Sequence, residues 1–112
     1  MSTYKLTLRA GARVHKERHG DLALALAALR DHTDELSATA DNRVRGGRLM
    51  RRFEPVQQVI GRVEIKGGGM GCGVDVRGDG SVEAFTGRLG RTLVHQQPGE
   101  SPVQALAREL GV

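Results

Sequence analysis

Apolar and polar side chains alternate from Tyr4 to Arg9, with Tyr4, Leu6 and Leu8 on one side and Lys5, Thr7 and Arg9 on the other. A period of two is the mark of a strand with one buried face. Gly11 breaks the run, and Arg13-Val14-His15-Lys16-Glu17-Arg18 reads as the second, mostly solvated arm of a hairpin. After Gly20-Asp21 the period changes: Leu22, Leu26, Leu29, Thr33 and Leu36 recur at spacings of four and three, which predicts an amphipathic helix over 22–36. Asp21 is suited to cap its start, and Ala23, Ala25, Ala27 and Ala28 raise its propensity. Asp31, His32, Asp34 and Glu35 fall near its expected end, as a wet face whose carboxylates oppose the helix dipole. Ser37 to Gly47 shows no apolar period and is expected to be a linker or mobile loop.

The second half reads as an antiparallel meander. Val59, Gly61, Val63 and Ile65 share one face of a strand, and Gly67-Gly68-Gly69 turns the chain. Cys72, Val74 and Val76 then alternate with Gly73, Asp75 and Arg77. Asp79-Gly80 is a two-residue hairpin signal, since such turns need positive φ. Ser81-Val82-Glu83-Ala84-Phe85 opens the next strand, and Arg91 to His95 predicts a further one beyond Gly90. Ser101-Pro102-Val103-Gln104 spells a capping box with proline at the first helical position. Val103, Leu106, Ala107 and Leu110 form the stripe of that short helix, which Gly111 ends. The pattern predicts an α+β fold: an antiparallel sheet of four to six strands with one long and one short helix packed on one face.

At 112 residues and 12.1 kDa the chain suits one domain, 1–112, without room for a second core. No run approaches the roughly 18 apolar residues of a membrane span, and the polar start lacks a secretory signal, so a soluble cytoplasmic protein is expected. Charge is distributed unevenly. Residues 41–66 hold seven basic groups against three acids, and the remainder of the chain carries equal numbers of each. Arginine makes up 14 of the 17 basic residues, a ratio that reads as composition, in keeping with abundant Ala, Gly, Val and Leu. The clustering is the informative part. From Arg43 to Arg52 five arginines stand with no acid among them, within a basic loop at about 38–54.

Several constellations bear on chemistry. His15, Glu17 and His19 lie two apart and share a face of an extended strand, where two imidazoles and a carboxylate are metal-ligand types. Side chains two apart diverge and need a further group from elsewhere, so these three are read as a solvated hairpin arm and no metal is expected. Cys72, between two glycines and with no histidine within ten residues, reads as a buried structural thiol. Gly67 to Gly73 has the composition of a phosphate loop, yet it lacks the Gly-Lys-Ser/Thr ending and leads into a strand. Arg77-Gly78-Asp79 is accounted for by the turn. No nucleophile, base and acid set is evident, so no enzyme activity and no cofactor are expected.

The Arg-rich stretch with Gly46-Gly47 is suited to a phosphate backbone. With aromatics at 3 %, base-stacking recognition is disfavoured, leaving charge and shape. The expected function is non-enzymatic contact with nucleic acid or a ribonucleoprotein through Arg43, Arg45, Arg48, Arg51 and Arg52, extended by Arg62 and Lys66. The alternative is an interaction or assembly module that uses a sheet edge or the basic loop against an acidic protein, with self-association through an exposed edge as one form.

Overall fold

A computed structural model describes residues 3–46, 58–87 and 90–112, with the backbone alone over 41–46. The elements run β1 (Tyr4–Ala10), β2 (Arg13–His19), α1 (Leu22–Gly46), β3 (Val59–Gly67), β4 (Met70–Arg77), β5 (Val82–Thr86), β6 (Thr92–Leu93) and α2 (Pro102–Leu110). The strands form one antiparallel sheet in the order β2-β1-β3-β4-β5-β6. The β1-β2 hairpin is joined to the β3-to-β6 meander through the pairing of β1 with β3, so β2 is an edge of the sheet. No described helix is long and apolar enough to cross a membrane.

Register decides which side chains share a face. Leu6 lies opposite Ile65 and Leu8 opposite Val63; these in turn face Cys72 and Val74. All are buried, and they form one cluster with Leu26, Leu29 and Leu36 of α1 and Leu106 of α2. Both helices therefore bury their stripes on the same side of the sheet, as the periodicity predicts. No described helix covers the opposite side.

The long helix departs from expectation. Ser37 to Gly46 is helical, giving α1 25 residues, and is not a linker. The reason is Ala40, fully buried four residues beyond Leu36, which continues the stripe with a side chain too small to register as a hydrophobic repeat. Ser37 anchors the added turns by donating its hydroxyl to the carbonyl of Gly80 at 2.6 Å. Asp31, Asp34 and Glu35 consequently sit in mid-helix, away from the negative end of the dipole. At the other end Asp21 accepts the backbone N–H of Leu24 at 2.7 Å, as its position predicts.

Two details of the meander also differ. The turn around Asp79 is a three-residue loop, 78–80, closed by the Arg77 N–H on Ser81 O, and only Gly80 takes positive φ, at 88°. The strand expected over 91–95 is reduced to Thr92–Leu93.

Helix α2 begins as read. Ser101 accepts from the Gln104 N–H, and the Gln104 side chain accepts from the Ser101 N–H at 2.8 Å. Gly111 closes it in the left-handed region at φ 76°. Ser101→Ala removes one of these partners and is expected to cost about 1 kcal/mol, read as a lower urea midpoint with unchanged m-value.

Candidate functional site

The edge hairpin carries two different surfaces because its strands alternate. Lys5, Thr7 and Arg9 of β1 lie opposite Arg18, Lys16 and Val14 of β2 on one flank, and Lys5, Thr7 and Arg9 face Lys66, Glu64 and Arg62 of β3 on the other. Their side chains therefore share the helix-free face. Lys5, Thr7, Arg9, Lys16, Glu64 and Lys66 line a groove of about 180 Å³. Lys5, Arg9, Lys16 and Lys66 are exposed, and none forms an ion pair with another described residue. Glu64 is the one acid lining the groove.

On the other half of the same face the cations are engaged by carboxylates. Asp75 of β4, 7 % exposed, accepts from Arg62 Nε at 2.5 Å and from Arg91 Nη1 at 3.4 Å. Both guanidinium groups lie over the ring of Phe85, at 6.0 Å and 4.5 Å from its centroid. The bond to Asp75 raises the Arg62 pKa above its ordinary value, so that charge is fixed and engaged. Arg77 pairs with Glu83 at 2.9 Å. Arg62 is thus a structural cation holding β3 to β4 and covering an aromatic ring, and it does not extend a free basic patch as the sequence suggested. The same clamp takes the Phe85 face away from base stacking.

The remaining predicted positions divide. Lys66 joins the groove, with Lys5 directly across from it. Arg43 and Arg45 fall in the last turns of α1. Arg48, Arg51 and Arg52 lie outside the described residues. Sequence reasoning missed Lys5, Arg9 and Lys16. Their alternation with Leu6, Leu8 and the histidines was visible, but strand pairing is what brings them beside Lys66.

Strand β2 is mostly exposed, as read, while its inward-facing residues are half-buried. His15, Glu17 and His19 do share a face, and that face is turned toward α1, where His32 meets it. Glu17 accepts from His15 Nε2 at 2.7 Å and His32 Nε2 at 3.2 Å through Oε2, and from His19 Nε2 at 2.8 Å through Oε1. The His15 and His32 rings stand 5.4 Å apart. These hydrogen bonds, that of His19 foremost, hold the Glu17 carboxyl at about 2, down from 4.5. Cys72 is buried, and burial pushes its thiol up to about 12, which fits an inert core residue.

Compared with protein-family models, with curated proteins and with solved structures, the chain matches none of them.

Proposed function

We propose that the helix-free face of β2, β1 and β3 contacts nucleic acid, alone or within a ribonucleoprotein, and that the protein acts by binding. The observation that carries this reading is the gathering of Lys5, Arg9, Lys16 and Lys66 around one groove, without ion-pair partners among the described residues. Three adjacent strands span about 10 Å, and Lys5 to Arg9 covers about 13 Å along the chain, so the cations tile an area that faces several phosphates of a duplex. Recognition is by charge and shape. Arg43, Arg45, Arg48, Arg51 and Arg52 belong to the same reading as a second basic segment that supplements the groove.

The test is binding of mixed-sequence duplex and single-stranded RNA and DNA, followed by fluorescence anisotropy between about 50 and 200 mM salt. Lys5→Ala/Lys16→Ala/Lys66→Ala is expected to weaken binding to every duplex alike and to flatten the slope of log K against log salt by about 3, at roughly 0.9 per phosphate contact. Absence of wild-type binding at the lowest salt, or an unchanged slope in the triple variant, overturns the assignment. Binding confined to an acidic protein surface would count for the interaction-module alternative.

A further inference from the structure

We propose that His15, His32 and Glu17 form a binding site for one divalent transition-metal ion of the zinc type, with His19 holding the second carboxylate oxygen of Glu17, and that the ion ties the edge strand β2 to helix α1. The donor set selects the ion. Imidazole nitrogen suits zinc and its first-row neighbours, whereas calcium and magnesium favour sites built of oxygen. Two imidazoles and one carboxylate supply three protein ligands and leave the fourth position to water.

Distances carry the assignment. One donor atom each from His15, Glu17 and His32 lies within 4.8 Å of the other two. The closest approaches to the carboxylate are 2.7 Å and 3.2 Å. Donors arranged tetrahedrally about zinc, with bonds of about 2.0–2.1 Å, stand roughly 3.3 Å apart, so both approaches to the carboxylate lie within about 0.6 Å of that spacing. His19 bonds the other carboxylate oxygen at 2.8 Å and so orients Glu17. Each neutral imidazole becomes a ligand when its single ring proton resides on Nδ1 and the Nε2 lone pair faces the ion.

Accessibility is intermediate, which a loadable site needs. The four side chains range from 18 % exposed for His32 to 43 % for His15, so an ion can enter from solvent and keep water in any remaining coordination position. The cluster also joins elements that are otherwise linked loosely. His15, Glu17 and His19 sit on a strand paired on one side only, while His32 projects from the helix above it. An ion here would pin the outermost strand to the body of the fold. This holds whether or not the opposite face of the hairpin binds nucleic acid.

Metal-stripped protein titrated with zinc, followed by calorimetry and by elemental analysis after desalting, is expected to take up one ion per chain. Its thermal midpoint should rise by several degrees at saturating zinc, as for any ligand that binds only the folded state. His15→Ala and His32→Ala are each expected to weaken zinc binding tenfold or more, and His19→Ala to weaken it less. His95→Ala, the exposed histidine outside the cluster, leaves it unchanged. Cobalt(II) in place of zinc should give visible bands that the His32→Ala variant loses. Circular dichroism of each metal-free variant checks that it is folded. Failure of the wild type to retain a stoichiometric ion overturns the proposal whatever the variants do, and so does binding that survives His15→Ala/His32→Ala in a folded protein.

Discussion

Gly73→Ala is expected to cost about 3 kcal/mol of folding stability, the upper end of what overpacking a core costs. A Cβ at this position, in the middle of the sheet, would lie 2.5 Å from the carbonyl oxygen of Val63, 2.8 Å from Phe85 Cζ and 3.1 Å from Glu64 Cα. Two of the three obstacles are backbone of the neighbouring strand. The ring can shift, but Val63 O cannot move without disturbing the β3-β4 pairing. Phe85 is held in turn by the guanidiniums of Arg62 and Arg91 and is only 3 % exposed, so even the movable obstacle is restrained. Gly20→Ala is the control: nothing lies within 4 Å of its Cβ position, and its effect should stay within about 0.5 kcal/mol. Urea unfolding of the two variants makes the comparison. Adding Phe85→Leu to Gly73→Ala should relieve only part of the loss, because the carbonyl remains in the way. A neutral Gly73→Ala would mean that the β3 backbone does not approach Gly73 as closely as described.

What could be read from the chain, and what could not, follows from the range of the interactions involved. The first strand, the capping box of α2 and the glycine that ends it were legible because their determinants lie within four residues of one another. The length of α1 was not, since Ala40 carries the stripe with a single methyl and Ser37 finds its partner at Gly80, 43 residues away. Arg62 and Lys66 show the limit most clearly. A period of two puts them on the same face of one strand, yet Asp75 lies across from the first and Lys5 beside the second. Pairing alone makes one a structural clamp and leaves the other uncompensated. The histidine cluster repeats the lesson: the shared face of His15, Glu17 and His19 was in the spacing, while His32, 15 residues past Glu17, meets it only once α1 has folded back over β2.

Leu29→Ala is expected to lower stability by about 2–5 kcal/mol, and the thermal midpoint by roughly 10–20 °C for a domain of this size. Leu29 is fully buried within the cluster that joins α1 to the sheet, so truncation leaves a cavity bounded by side chains on strands that cannot close in without breaking their pairing. Leu24, five residues earlier on the same helix, is 56 % exposed, and the same substitution there should stay within about 0.5 kcal/mol, since alanine is the better helix former. The contrast tests the rotational setting of α1, on which the position of His32 over β2 depends. Leu106→Ala extends the test to α2. A nine-residue helix is marginal without tertiary contacts, and Leu106 is its largest fully buried side chain, inserted into the same cluster as Leu29. Loss of Leu106 should therefore lower the single cooperative transition of the whole domain. If α2 instead melted by itself, with the sheet and α1 unaffected, the two helices would not share one core.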